Sequence, residues 1–293
     1  MLSTFDKVLI IGLGQVGLPV AKYVKDRGFD TYGYDIKSES LEYAKRKCQI
    51  KQTVNFGSED FQVFIISLST HQADDIFSPE IDGLLSIADK ISKEAKKDGA
   101  LVSIESTIPR GTSKKVFEIL NHRLHVVHVP HRWYALEENS HGVNQLRVIG
   151  GVCDCCLKVG LQFYGGIENE IYLDAIPNSQ GRGLGIPVHP VSNVETAEIT
   201  KTAENAHRYL QIAFAEELYL YCQANNINFP ELRDALNTKW NVEILEPREG
   251  IGGHCLPKDT KMFLDSSKGV KSRILTAAMK VDEEYREYRE NGP

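Results

Sequence analysis

Apolar runs and amphipathic segments alternate along the first half of the chain. Residues 7–11 have the composition of a buried strand, residues 18–27 have helical spacing, and residues 31–35 again have strand composition. Further strand patterns cover residues 61–68, 100–105, 125–129 and 147–151, and further helical patterns cover residues 81–97 and 113–120. This alternation predicts an α/β fold built on a Rossmann-type doubly wound, mostly parallel sheet with helices on both faces.

The pattern changes to helix alone in the last third of the chain. Residues 195–225 form one long helical pattern without Gly or Pro, and shorter helical patterns cover residues 230–236 and 272–288. We therefore expect two domains, a sheet domain over residues 1–192 and a smaller all-helical domain over residues 193–293.

A turn with three glycines links the first predicted strand to the first predicted helix. Gly12 permits a tight turn, Gly14 lets the backbone approach a pyrophosphate, and Gly17 lets the helix pack close to the strand. The helix N-terminus then attracts the negative phosphates. We expect the sheet domain to bind a dinucleotide, and the predicted cofactor-binding residues of the turn are Gly12, Gly14, Gln15, Val16 and Gly17.

An acidic residue ends the second predicted strand. Asp35 is placed to accept hydrogen bonds from the adenosine ribose hydroxyls and would repel a 2′-phosphate, so the sequence favours NAD over NADP, although Lys37 nearby weakens that preference. Thr70, Ser106 and Thr107 follow later strand ends, at the edge where such sheets bind ligands. We expect all three at the cofactor site, and for Thr70 ordinary turn chemistry is an equally good explanation.

The long predicted helix carries a polar stripe. Glu198, Lys201, Asn205, Arg208 and Ile212 fall on one helical face. Lys201 and Asn205 could line a cleft there, but by spacing alone such a stripe is more often a solvated surface than a binding site.

The most unusual segment is residues 250–259, in which three glycines crowd Cys255. Lys258, and a helix that begins after Pro257, would favour the thiolate form of this cysteine. A structural cysteine more often lies among apolar neighbours in a helix or strand, so we expect Cys255 to be a nucleophile. Two of the glycines, Gly252 and Gly253, are predicted to let the substrate approach the backbone closely.

Four short motifs span nearly the whole chain. They are residues 12–19, 105–112, 198–205 and 252–259, which read GLGQVGLP, ESTIPRGT, EITKTAEN and GGHCLPKD. Together they resemble the UDP-glucose/GDP-mannose dehydrogenase family, the nucleotide-sugar dehydrogenases that make uronic acids. The start of the last motif is similar to that of the N-acetylmannosamine-type members, and its end is similar to that of the UDP-glucose type.

The resemblance implies a four-electron oxidation with NAD as the hydride acceptor. A primary alcohol becomes an aldehyde, the Cys255 thiolate attacks it, and a second hydride transfer leaves a thioester that water hydrolyses to a carboxylate. By the same resemblance Lys201 stabilises the oxyanions and Asn205 helps to hold the substrate, a sugar or nucleotide-sugar. Asp259 and Thr107 assist proton transfer and position water.

The chain departs from the family pattern in two places. Many members have a Pro-Glu pair whose glutamate is a catalytic acid/base, whereas here Pro130 is followed by His131. His131 itself, Glu137 or Glu138 could take that role, because imidazole titrates near neutral pH and the glutamates lie close in sequence. The family's C-terminal nucleotide-binding domain has no counterpart after the last predicted helix, so we expect a short form or a fragment.

Two alternative functions remain open from the sequence. A two-electron alcohol or β-hydroxyacid dehydrogenase would use Lys201 and Asn205 without a cysteine nucleophile, and the missing glutamate favours it. A non-catalytic NAD-binding subunit is the second alternative, but such a protein gains nothing from a reactive thiol at Cys255.

Composition limits the partners. The net charge of −6 gives no electrostatic reason to expect nucleic acid or an anionic membrane surface, and no apolar stretch is long enough to span a bilayer. The long helix carries more apolar surface than one small domain can bury, so we expect a homodimer paired through it.

Six unevenly spaced cysteines do not form a disulfide framework and fit a reducing cytoplasm better. Cys153, Cys155 and Cys156 lie close together, but no second Cys/His pair at zinc-like spacing accompanies them. His122, His125, His128 and His131 recur at every third residue, and a strand would point them to alternating faces. The sequence therefore predicts no metal site.

Overall fold

The computed structural model describes residues 5–72, 74–75, 78–133, 142–165, 183–253, 255–266 and 271–292. The chain forms two compact units: unit 1 comprises Met1–Thr70 and Glu80–Thr200, and unit 2 comprises His71–Pro79 and Lys201–Pro293. Within the described ranges, every helix is too short or too polar to cross a lipid bilayer.

Unit 1 is built on a single twisted sheet. Its strands are β1 (Lys7–Ile11), β2 (Asp30–Tyr34), β3 (Lys51–Gln52), β4 (Val63–Ile66), β5 (Leu101–Ile104), β6 (His125–His128), β7 (Arg147–Gly151) and β8 (Val188–Pro190). They lie in the order β3-β2-β1-β4-β5-β6-β7-β8. Neighbours pair in parallel except for β6 and β7, which are antiparallel. The order reverses beside β1, so the crevice at the carboxyl ends of β1 and β4 is the topological switch point where such sheets bind ligands.

Helices cover both faces of this sheet. They are α1 (Gly17–Asp26), α2 (Ser38–Cys48), α3 (Asp82–Glu94), α4 (Thr112–Ile119) and α5 (Asp154–Gly165). Alternate side chains of β1 enter two separate cores: Val8 and Ile10 pack on the side of α1 and α5, and Leu9 and Ile11 pack on the side of α3 and α4. Burial on both faces explains why the strands are continuously apolar in sequence.

Unit 2 consists of helices and the loops between them. The helices are α6 (Val194–Ala224), α7 (Phe229–Asn237), α8 (Cys255–Ser266) and α9 (Arg273–Asn291), and the boundary between the units falls inside α6. Tyr209 and Ala213 of α6 pack with Ile251 and with Ala278 of α9 in a small apolar core.

The predicted fold class is confirmed. The predicted strands at residues 7–11 and 147–151 have the observed bounds, and most other predicted elements are displaced by one to three residues at their ends. Four elements were not predicted, namely α2, β3, α5 and β8. One reason is that α2 buries only Ala44 and Cys48, too few apolar side chains to give a clear helical pattern.

Glu198 is not a surface residue of the polar stripe. Its side chain is buried, and its two carboxylate oxygens accept hydrogen bonds from the backbone N–H groups of Gly111 (2.6 Å) and Ser113 (2.8 Å). These amides belong to the N-terminus of α4, whose first N–H groups have no partner within the helix. Glu198 therefore caps α4 and fixes the start of α6 to the sheet unit.

We expect Glu198→Ala to lower the free energy of unfolding by about 1–3 kcal/mol, because it leaves buried N–H donors unsatisfied. The matched control is Glu195→Ala on the same helix, since Glu195 pairs with Arg110 and Lys114, both more than half exposed. Exposed pairs contribute about 0–1 kcal/mol. Urea denaturation of both variants tests the difference, and equal losses would contradict the capping role.

Candidate functional site

The turn between β1 and α1 requires glycine at two of its three glycine positions. Gly12 has a φ of +90°, and a Cβ on Gly17 would lie 1.8 Å from the carbonyl oxygen of Gly12. A Cβ on Gly14, by contrast, would meet no atom within 4 Å. Gly12 and Gly17 thus close the turn, whereas the space at Gly14 is open for a ligand to approach the backbone.

Asp35 follows β2 and lies against this turn. Its carboxylate accepts hydrogen bonds from the backbone N–H groups of Leu13 (2.7 Å) and Lys37 (2.8 Å). A pocket of about 570 Å³ opens beside the same turn and is lined in part by Gly14 and Gln15. The residues predicted from sequence to bind the dinucleotide are therefore brought together at the carboxyl ends of β1 and β2, and their arrangement fits NAD.

Thr70 and Ser106 use their hydroxyl groups inside the protein. The Thr70 hydroxyl donates to the carbonyl oxygen of Thr107 (2.7 Å). The Ser106 hydroxyl accepts from Leu68 N (2.7 Å) and donates to Leu68 O (2.8 Å). Both side chains are buried, while Thr107 is half-buried. The structure thus gives Thr70 and Ser106 a role in joining the ends of β4 and β5, and leaves Thr107 nearer to solvent.

Cys255 is the first residue of α8, so the helix begins three residues before the predicted position. Gly250 and Gly253 have φ values of +90° and +72°, which only glycine adopts readily. Burial, followed by the charge of Asp259, raises the pKa of the Cys255 thiol, and Lys258 and Lys201 act in the opposite sense without outweighing them. Lys258 thus acts in the direction expected from the sequence, but burial and Asp259 outweigh it.

Asn205 and Asp259 are joined directly. The Asn205 side-chain amide donates a hydrogen bond to the Asp259 carboxylate (2.5 Å), and the Lys258 ammonium lies 3.4 Å from the other carboxylate oxygen. Asp259 and Lys258 are almost fully buried on α8. Unit 2 thus places the predicted nucleophile, a carboxylate, an amide and two lysine charges in one region.

The loop that leads to Cys255 is held by α9, which the sequence analysis did not predict to be functional. The Asp282 carboxylate accepts a hydrogen bond from Ile251 N (2.7 Å), and the Arg286 guanidinium contacts Ile251 O. A Cβ on Gly250 would lie 2.7 Å from Arg286 Cγ, so this position requires glycine for space as well as for φ. Asp282 and Arg286 are positioning residues, and no sequence motif marks them.

A second carboxyl group is buried near Asp282. Glu216 of α6 is fully buried, and neither of its carboxyl oxygens has a hydrogen-bond partner among the residues that the structure describes. Burial and the nearby charge of Asp282 raise the pKa of Glu216 to about 8, with Arg286 acting in the opposite sense. The Tyr209 hydroxyl donates to Asp282 (3.0 Å) in the same cluster.

His131, a candidate acid/base from the sequence, lies in a buried polar cluster of unit 1. Its Nε2 contacts the Glu105 carboxylate, which also lies 3.0 Å from Arg147 Nη1 and accepts a hydrogen bond from the Tyr164 hydroxyl. Burial alone would raise the pKa of Glu105, but Arg147 and His131 lower it to about 2. His131 is thus fixed beside an ionised carboxylate. The other candidates for this role, Glu137 and Glu138, lie outside the described residues.

The strand order, the glycine turn and the position of Asp35 are the features of the dinucleotide-binding class of α/β folds. Residues 195–284 match the model of the UDP-glucose/GDP-mannose dehydrogenase family, central domain. This match confirms the family resemblance that the four motifs predicted.

Relatives and solved structures agree with this assignment. The chain is 30% identical to a UDP-N-acetyl-D-mannosamine dehydrogenase of Pyrococcus horikoshii over 89% of its own length and 65% of that relative. It is 29% identical to the enzyme of that name from Campylobacter jejuni, over 96% of the chain and 72% of the relative. The solved structure of the Pyrococcus horikoshii dehydrogenase superposes with a TM-score of 0.78 and 27% identity, covering 97% of this chain and 70% of the other. The chain thus spans about two thirds of the length of these relatives.

The buried Glu216 generates a prediction about pH. Its pKa of about 8 lies above the ordinary value of 4.5, so between these values the folded protein holds a proton that the unfolded chain has lost. The free energy of unfolding should therefore fall as pH rises from about 5 to 8. We expect Glu216→Gln to reduce this slope in urea denaturation. The stability of the variant relative to the wild type should therefore increase as pH rises. Glu217→Gln, at the exposed next position, should keep the wild-type slope, and an unchanged slope in Glu216→Gln would contradict the prediction.

Proposed function

We propose that this protein is an NAD-dependent nucleotide-sugar 6-dehydrogenase that oxidises a primary alcohol to a carboxylate through Cys255. The observation that carries the proposal is the placement of Cys255 at the N-terminus of α8, close to the charges of Lys201 and Asp259, with Asn205 bonded to Asp259. The names of the relatives make UDP-N-acetyl-D-mannosamine the first substrate to test.

On the cofactor side, the open space at Gly14 and the α1 N-terminus would hold the pyrophosphate, with Gln15 and Val16 in the same turn. Asp35 would accept hydrogen bonds from the ribose hydroxyls and favour NAD over NADP. When bound, NAD supplies the hydride acceptor for each of the two oxidation steps. Ser106 and Thr70 would support this site by holding the backbone that follows β4 and β5 in place. Lys37 would lie at the edge of the site.

On the substrate side, the Cys255 sulfur would add to the aldehyde carbon and form a thiohemiacetal. Loss of a second hydride gives a thioester, and water then releases the carboxylate and restores the thiol. Lys201 would stabilise the negative oxygen that forms at each addition. Asp259, oriented by Asn205, would accept the thiol proton, because the raised pKa of Cys255 means that the thiolate must be generated during the reaction. Gly252 and Gly253 would leave room for the sugar, and Thr107 would position water.

The decisive experiment counts NADH per product. The protein is incubated with NAD and UDP-N-acetyl-D-mannosamine, followed by a panel of other nucleotide-sugars and free sugars, while the product is identified by mass spectrometry. Two NADH for each carboxylate would support the Cys255 route. One NADH with an accumulating aldehyde or ketone would favour the two-electron alcohol or β-hydroxyacid dehydrogenase, and NAD binding without any turnover would favour the non-catalytic subunit.

We expect Cys255→Ser to lower the rate of carboxylate formation by at least about 100-fold, because the covalent intermediate is lost. Binding of NAD, measured by fluorescence titration, should be unchanged. The matched control is Cys222→Ser, which alters a buried cysteine of α6. If Cys255→Ser makes carboxylate at the wild-type rate, the nucleophile is not Cys255.

We also propose that the protein is a homodimer paired through α6. Phe214 and Tyr221 are 55% and 57% exposed, and seven residues along a helix return to within about 20° of the same direction. Replacing both with Glu should convert the dimer to a monomer in light scattering. The control is Ile36→Glu, an exposed apolar residue of the sheet unit. A monomeric wild-type protein would refute this proposal.

A further inference from the structure

Three cysteines lie close together in unit 1, and two of them also lie close to a histidine. The Sγ atom of Cys153 lies 2.7 Å from that of Cys155 and 3.2 Å from that of Cys156. A ring nitrogen of His125 and the Sγ atoms of Cys155 and Cys156 all lie within 4.8 Å of one another. We call these four residues the Cys/His cluster.

The Cys/His cluster lies at the sheet edge opposite to the proposed cofactor site. His125 is the first residue of β6, which is parallel to β1, β4 and β5, so it marks the amino ends of these strands. The glycine turn and Asp35 follow the carboxyl ends instead. The cluster is therefore separate from the proposed dinucleotide site of the same unit.

Backbone N–H groups donate hydrogen bonds to two sulfur atoms of the Cys/His cluster. Val126 N donates a hydrogen bond to Cys156 Sγ (3.3 Å), and Cys156 N donates to Cys153 Sγ (3.4 Å). Cys155 and Cys156 lie in the first turn of α5, and Cys153 immediately precedes that helix. A helix N-terminus and N–H donors both stabilise negative sulfur, and such hydrogen bonds typically support metal-bound thiolates.

We propose that the Cys/His cluster is a structural zinc site with three thiolate ligands and one imidazole ligand. Three sulfurs and one nitrogen form a set that tetrahedral Zn²⁺ prefers, with Zn–S distances of about 2.3 Å and Zn–N distances of about 2.0–2.1 Å. Binding releases the thiol protons to solvent and transfers no electrons.

None of these three cysteines forms a disulfide among the described residues. The Sγ separations of 2.7 Å and 3.2 Å both exceed the length of a disulfide bond, about 2.05 Å. A tetrahedral zinc with Zn–S bonds of about 2.3 Å separates its sulfurs by about 3.8 Å. Cys155 is exposed, so its side chain can move outward by that amount without disturbing the core.

The fold supplies the ligand that the sequence did not reveal. No metal was expected from the sequence because a second Cys/His pair at zinc-like spacing is absent, but β6 brings His125 close to Cys155 and Cys156 from another part of the chain. Zinc at this place would tie the connection between β7 and α5 to the start of β6. Because β7 is the strand that runs antiparallel to β6, the site would stabilise the point where the sheet changes direction.

The test begins with the full chain purified without chelators under reducing conditions. We expect about one zinc per chain by elemental analysis. The apoprotein titrated with Co²⁺ should give the intense visible bands and the sulfur-to-cobalt charge-transfer band of a tetrahedral thiolate site. Chelation should lower the melting temperature, and added zinc should restore it.

Variants locate the site. Cys155→Ala changes an exposed side chain and should leave the fold intact. It should lower the zinc affinity by more than about 100-fold, which is more than the loss of a residue that only hydrogen-bonds a metal ligand typically causes. His125→Ala and Cys156→Ala should do the same. The matched controls are His122→Ala and Cys48→Ala, a nearby exposed histidine and a cysteine of the same unit. Both should keep wild-type affinity.

Three outcomes would overturn the zinc proposal. The first is a protein that binds neither zinc nor cobalt at micromolar concentration while its thiols react as free groups. The second is a disulfide between Cys153 and Cys156 in the natively purified protein without bound metal, which would make the pair a redox site. The third is zinc binding that survives Cys155→Ala and His125→Ala.

Discussion

The buried ion pair of Glu105 and Arg147 is the interaction on which the sheet unit depends. Glu105 follows β5 and Arg147 opens β7, so the pair spans the intervening β6. Both side chains are about 1% exposed, and removing one partner of such a pair typically costs about 3–5 kcal/mol because the other charge is left buried. The antiparallel strand β7 is thereby fastened to the parallel part of the sheet. Tyr164 of α5 and His131 bind the same carboxylate, so a helix and a loop are fixed by the same charge.

The glycine turn and the sheet were predictable from sequence because each depends on local chemistry. Gly12 is required by its φ of +90° and Gly17 by the nearby carbonyl oxygen of Gly12, and the apolar runs of the strands reflect burial on both faces. The elements that were missed have weak local signals. β3 is two exposed residues long, and α5 contains two glycines among its twelve residues. Such segments are folded by their neighbours rather than by their own pattern.

In the candidate site too, some features could be predicted from local sequence and others depend on tertiary contacts. Cys255, Lys201, Asn205 and Asp259 were found because they belong to compact motifs, and the structure adds the direct bond between Asn205 and Asp259. The pKa of Cys255 could not be predicted, since it depends on burial by residues distant in sequence. The same holds for Asp282 and Arg286, which contact Ile251 from another helix. Sequence motifs identify reactive groups, and tertiary contacts decide how those groups are held and charged.

The contact between Asp282 and the loop before Cys255 has a consequence for the order of events during synthesis. A ribosome delivers Cys255 well before Asp282, so the loop of Gly250 and Ile251 is made before the residues that hold it. Domains generally fold from the N-terminus as they emerge. The sheet unit can therefore be complete while the thiol still lacks its final surroundings. The proposed nucleophile acquires its final surroundings only when α9 has folded, which makes their assembly one of the last steps in the maturation of the chain.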